Sequence, residues 1–181
     1  MQQLISKLET IPISLSTLQK YAPKHCRVLL YDRIPLSKEA FFRGKTCVIV
    51  LYQMHSRDGR KNTQVGHYCL VMRTPGSKHL RYFSSYGLKP ETEIHMTHSV
   101  GKLLKLLGKD YTYNRTQLQS ARRVQTCGLH ALARSYLYKL SDSAYNKLMK
   151  RYTAKNPDDI VSIMTLCLVF EELEGGSTPY R

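Results

Sequence analysis

Gln125-Thr126-Cys127-Gly128-Leu129-His130-Ala131-Leu132-Ala133 decides how the rest of this sequence is read. A cysteine stands beside a glycine. Apolar residues follow at helical spacing: Leu129, Leu132, Ala133, Tyr136, Leu137 and Leu140. The pattern predicts a buried helix with Cys127 in its first turn. Backbone N–H groups there have no partner within the helix, and the helix dipole favours negative charge. Both effects lower a thiol's pKa, and the thiolate is the nucleophilic form. Most free cysteines are merely small buried residues, so the weight falls on what accompanies this one.

His67 lies in Gly66-His67-Tyr68-Cys69-Leu70-Val71. It follows a glycine and opens an apolar strand. That places it at a sheet edge, a position suited to a base facing Cys127. His130, one helical turn past Cys127, shares roughly one helix face with it and competes for that role. His67 is preferred, because side chains on one helix point back along its axis rather than across a cleft. His25, His55, His79, His95 and His98 sit among polar residues and read as exposed. Gln119 lies in the polar loop 116–126 and can offer its amide N–H groups to an oxyanion, beside the Cys127 backbone N–H. A loop glutamine alone is a weak signal, as neighbouring Gln117 and Gln125 show.

The chain has 181 residues, 42% of them hydrophobic, enough for one domain with a full core. We expect a helical segment over 1–26, a core over 27–174 and a flexible tail over 175–181. No apolar run reaches the roughly 18 residues of a membrane span, and the start does not read as a secretory signal. The five cysteines are widely spaced, with no paired C-x-x-C. That argues against a disulfide framework and a zinc site, and suits a reducing compartment. No metal or chemical cofactor is expected. The net charge of +15 calls for a polyanionic partner, nucleic acid first.

In order, 1–22 reads as two short helices, the second capped by Ser14 or Ser16 and ended by Pro23. Strands are expected at 27–31, 46–52, 67–72 and 80–83, with 46–52 apolar on both faces. The last three read as a meander, most simply antiparallel, because two of the connections are short. A helix over 97–107, a short strand over 110–114 and the Cys127 helix follow. Ser141 or Asp142 then caps another helix, and Pro157 opens a last one. The fold class is α+β, a mixed or antiparallel central sheet flanked by helices.

Gly66-His67-Tyr68, Tyr82-Phe83-Ser84-Ser85-Tyr86-Gly87, Gln119 and Thr126-Cys127-Gly128 resemble, in that order, the His, Asp/Glu, Gln, Cys series of the adenain-type viral cysteine endopeptidases. The wider superfamily includes SUMO- and ubiquitin-like-specific proteases. The resemblance implies a papain-like fold with Cys127 as nucleophile, His67 as base and acid, and Gln119 in the oxyanion hole. Ser120 and Gln125 remain alternatives to Gln119. Ser84 stands where the family has its acid. A serine can orient the histidine but carries no charge to stabilise an imidazolium. The site is then a Cys–His dyad oriented by Ser84 or Ser85, or it has lost catalysis.

The resemblance further implies cleavage of viral structural precursor proteins by a monomer inside virions and the infected nucleus or cytoplasm. It implies a possible activating peptide and stimulation by DNA, bound through basic residues. Those are Lys61, Arg73, Lys78, Arg81, Lys102, Lys105, Lys109, Arg115, Arg122, Arg123, Lys139, Lys147, Lys150 and Arg151. Two rivals stand: a deconjugating protease for a ubiquitin-like modifier, and a basic nucleic-acid-binding protein on an inactive protease fold.

Overall fold

The computed structural model describes residues 2–55, 61–74, 76–120, 124–151 and 156–173. The chain begins with α1 (Gln2–Thr10) and α2 (Leu15–Tyr21). Ser14 caps α2, its hydroxyl accepting from the Thr17 N–H at 3.1 Å. Strand β1 (Cys26–Leu30) leads through a 3-10 turn (Tyr31–Arg33) into α3 (Lys38–Phe42). Then come β2 (Cys47–His55), β3 (Lys61–Arg73) and β4 (Leu80–Ser84). Two short helices, α4 (Pro90–Met96) and α5 (Lys102–Leu107), precede β5 (Tyr111–Tyr113). The chain continues with α6 (Cys127–Tyr136), α7 (Asp142–Lys150), whose cap is Ser141, and α8 (Pro157–Leu173).

The five strands form one mixed sheet in the order β1-β2-β3-β4-β5. The three central strands pair antiparallel, as their short connections require. Both outer pairs, β1 with β2 and β4 with β5, are parallel. The expected antiparallel meander is the three central strands, and the parallel outer strands make the sheet mixed. A parallel pair needs a crossover, and the helices between β1 and β2 and between β4 and β5 supply one.

Alternation along β2 sends Cys47, Ile49 and Leu51 to one face and Val48, Val50 and Tyr52 to the other. The first face packs on α2, α6 and residues of α7 and α8. The second packs on Tyr31, Phe41, Phe42, Leu103, Leu106 and Leu107. Both faces are covered, which is why the strand is apolar throughout. Helix α1 lies against α8. The expected tail lies outside the described residues.

Two further expectations change. The helix read over 97–107 is the shorter α5, and α4 before it was not anticipated. Pro90 at its first position and Glu91 beside it are ordinary helix-start signals. Strand β3 begins at Lys61, so His67 lies within it rather than opening it.

Candidate active site

Cys127 is the first residue of α6. Its position on the helix axis is fixed from behind: the Thr126 hydroxyl donates to Asp158 Oδ1 and leaves the helix start without a side-chain cap. Gly128 follows because a Cβ there would lie 2.1 Å from Ile13 Cγ2 and 3.1 Å from the Tyr68 ring. The helix start is thereby pressed between the N-terminal segment and β3.

His67 pairs with Tyr52 of β2 and sits just beyond the last β3–β4 pair, Cys69 with Ser84. It is on a central strand, but where β4 has ended, so its ring is free to reach the cleft. Gly66 before it is crowded by the Tyr52 carbonyl, which a Cβ would meet at 1.9 Å. Only glycine allows β3 and β2 to stay paired there. The Cys127 Sγ lies 3.9 Å from the Gly66 carbonyl oxygen, and its thiol interacts with the His67 ring.

The other side of His67 carries the group the sequence reading missed. His67 Nε2 is 3.1 Å from Ser84 Oγ and 3.2 Å from Glu93 Oε1. The Ser84 hydroxyl donates its single proton to Glu93 Oε1 at 2.6 Å, so it accepts from the imidazole. A carboxylate therefore does face the histidine, brought by α4 instead of β4. Glu93 is 2% exposed. The nitrogen oriented by these groups is Nε2, which leaves Nδ1 for Cys127. Tyr86 stacks on the imidazole with ring centroids 4.8 Å apart. Ser85 does not orient His67; its hydroxyl donates to Gln119 Oε1 at 2.6 Å.

The electrostatics follow from these contacts. Burial opposes a charged imidazole, yet the Cys69 and Cys127 thiols and the Glu93 carboxylate raise the His67 pKa well above the ordinary histidine value. Burial likewise pushes the Cys127 thiol up, but His67 and the Tyr68 and Gly128 backbone N–H groups bring it below its ordinary value. The other buried thiols behave oppositely: burial drives Cys26 up to about 12 and Cys69 up to about 11. The pair Cys127–His67 is thus biased toward thiolate and imidazolium.

Gln119 is 1% exposed and lines the same cleft as Cys127 and His67. Its Nε2 donates to the Val124 carbonyl at 3.1 Å, leaving its second N–H. Ser120 is exposed, with its backbone N–H on Asp158. Gln125 also lines the cleft, and its backbone N–H donates to the Glu9 carbonyl. The cleft holds about 390 Å³, with walls that include Pro12, Ile13, Tyr86 and Met96. His130 is fully buried, 3.0 Å from Asp158, and is not among the cleft-lining residues.

Of the basic residues, Arg81 is engaged inside: its guanidinium donates to the Leu140 carbonyl at 2.8 Å and to that of Tyr138. Lys102 donates to the Asp32 carbonyl. Arg122 and Arg123 lie outside the described residues, as does the Lys61 side chain. Lys78, Lys105, Lys109, Arg115, Lys139, Lys147, Lys150 and Arg151 are exposed. His25 is half-buried, not exposed, and bonds the Ser135 carbonyl at 3.0 Å. Among the described residues, no helix is long and apolar enough to cross a membrane.

No family model matches the chain, and no curated protein matches it. Among solved structures it is similar to ChlaDub1 from Chlamydia trachomatis, with a TM-score of 0.38 and 16% identity, over 92% of this chain and 75% of that one.

Proposed function

We propose that this chain is a cysteine endopeptidase in which Cys127 is the nucleophile and His67 the base and acid. The observation that carries the reading is geometric: Cys127 opens α6 beside His67, whose ring faces Ser84 at 3.1 Å and Glu93 at 3.2 Å on its other side. Cys127, at a helix N-terminus against His67, is the buried thiol whose pKa falls. Glu93, through Ser84 and directly, supplies the negative charge that stabilises the imidazolium. Ser84 in place of the family's acid therefore no longer favours an inactive protease fold.

The Cys127 thiolate attacks a peptide carbonyl. The oxyanion is received by the free N–H of Gln119 and by backbone N–H groups at the start of α6. His67 protonates the departing amine. It then takes a proton from water, which hydrolyses the thioester and restores the thiolate. A cleft bounded by Tyr86, Ile13 and Met96 favours small residues beside the scissile bond. The finer reading is an adenain-type protease that matures virion precursor proteins in a reducing compartment. The charge of +15 supports a DNA-stimulated enzyme over one that docks a folded ubiquitin-like modifier.

The test is hydrolysis of a fluorogenic peptide with Gly-Gly before the scissile bond, with and without double-stranded DNA. Cleavage by the wild type, loss in Cys127→Ala and stimulation by DNA are expected. Hydrolysis that persists in Cys127→Ala, or none from the folded wild type under either condition, overturns the reading.

A further inference from the structure

The strand that carries His67 carries a second chemically active side chain on the same face. Alternation along β3 puts Cys69 beside His67, and α4 lays Glu93 over that face. A ring nitrogen of His67, Cys69 Sγ and a carboxylate oxygen of Glu93 lie within 4.8 Å of one another, and all three residues are buried. The catalytic reading uses His67 and Glu93 directly, and gives Cys69 no contact with the reacting groups beyond its influence on the charge of the His67 ring.

Metal–ligand bonds of about 2.0–2.3 Å in tetrahedral geometry place neighbouring donors about 3.3–3.7 Å apart. The His67–Glu93 separation, 3.2 Å, is already near one edge of such a tetrahedron. Each of the other two donors is held from behind. The Tyr82 hydroxyl donates to Cys69 Sγ at 2.9 Å, and the Ser84 hydroxyl donates to Glu93 Oε1 at 2.6 Å. Donors of this kind orient metal ligands and stabilise their anionic forms. His67 and Glu93 also line the cleft, which gives an ion a route in and leaves a fourth position for water.

We propose that His67 Nε2, Cys69 Sγ and Glu93 Oε1 form a site for a transition-metal ion of the zinc class, and that its occupancy excludes proteolysis. One imidazole nitrogen, one thiolate and one carboxylate match zinc and its neighbours, not magnesium or calcium. Binding releases the Cys69 thiol proton and the Nε2 proton to solvent and leaves the imidazole with its remaining proton on Nδ1. His67 is then a ligand and not a base. The sequence argued against zinc because paired cysteines are absent; here the donors come from β3 and from α4, whose glutamate had not been placed.

The site does not depend on the protease reading; only the inhibition does. Co²⁺ is titrated into reduced Cys127→Ala protein, which lacks the other thiol beside His67. One Co²⁺ per chain is expected, with a sulfur-to-cobalt charge-transfer band and the intense visible bands of a four-coordinate ion. Adding Cys69→Ala should abolish the charge-transfer band, whereas adding Cys26→Ala should leave it. A band present in the wild type but missing from Cys127→Ala would place the metal on Cys127 and overturn the proposal, as would a band surviving Cys69→Ala or no band at all. If the Cys69→Ala double variant does not fold, Glu93→Gln in the same background replaces it. It should bind Co²⁺ at least roughly tenfold more weakly, and unchanged affinity overturns the site. In the wild type, Zn²⁺ should stop peptide hydrolysis and Cys69→Ala should relieve the block. Full hydrolysis under saturating Zn²⁺ overturns the exclusion, whereas hydrolysis absent without metal indicts the protease reading and leaves the cobalt result standing.

Discussion

Ser84 Oγ lies between His67 Nε2 and Glu93 Oε1, accepting from the first at 3.1 Å and donating to the second at 2.6 Å. The serine is an adapter. It lets a carboxylate on α4 serve a histidine on β3, and Glu93 is also 3.2 Å from the ring. Replacing the two should have unequal effects. Glu93→Ala should lower kcat/KM by about 10²-fold or more, the scale of a lost acid–base partner. Ser84→Ala keeps the direct contact and should cost about tenfold. Steady-state peptide hydrolysis measures both; equal losses would mean the charge acts only through the hydroxyl.

Gln119 is aimed by Ser85, whose hydroxyl donates to its Oε1. This fixes the amide with its nitrogen toward Val124 and the cleft. Gln119→Ala should reduce kcat by about 10²-fold with little change in KM, because an oxyanion donor acts on the transition state. Ser85→Ala should show a smaller loss of the same kind. A KM effect alone would make Gln119 a substrate-binding residue.

The sequence displayed some of this arrangement and concealed the rest for identifiable reasons. The apolar run 47–52 reveals a strand buried on both faces, and Ser141 and Pro157 mark helix starts by local chemistry. The Cys127 helix is legible from its periodicity. Glu93 is not, because a single glutamate on a seven-residue helix looks like a solvated carboxylate until its partners are known. The parallel pairings of β1 and β5 were also hidden. Which edge a strand joins depends on how the crossover helices pack, and periodicity does not encode that.

Glu9 on α1 faces Asp158 and Asp159 on α8. Burial and the neighbouring carboxylates raise its pKa from 4.5 to about 7. A raised carboxyl pKa means the folded state holds the proton more tightly than the unfolded one. Stability therefore falls as pH rises from about 4.5 to about 7, and the penalty stays above that. Glu9→Gln should raise Tm at about pH 8 and give no gain at about pH 4. Thermal unfolding at both values checks this; an equal gain at both would assign the effect to packing.

Asp158 holds three parts of the site's back wall. Its carboxylate accepts from the Thr126 hydroxyl, from His130 Nε2 at 3.0 Å and from the Ser120 N–H at 2.9 Å. Burial opposes its charge, but these bonds keep its pKa below the usual carboxylate value. Its contribution is present above the ordinary carboxylate range and is lost as pH falls through the depressed value. Asp158→Ala should destabilise the protein by roughly 3 kcal/mol, from several buried groups losing a partner. Denaturant unfolding at neutral pH measures it.

His67 makes Cys127 a thiolate, and site-resolved alkylation reads that state on each cysteine. Wild type and His67→Ala are treated with iodoacetamide at neutral pH, and labelling of each cysteine is followed by mass spectrometry. Cys127 should react at least about 10²-fold faster than buried Cys26 and clearly faster than exposed Cys167, and His67→Ala should remove that advantage. Labelling of Cys127 no faster than of Cys167, unchanged by His67→Ala, would contradict the account.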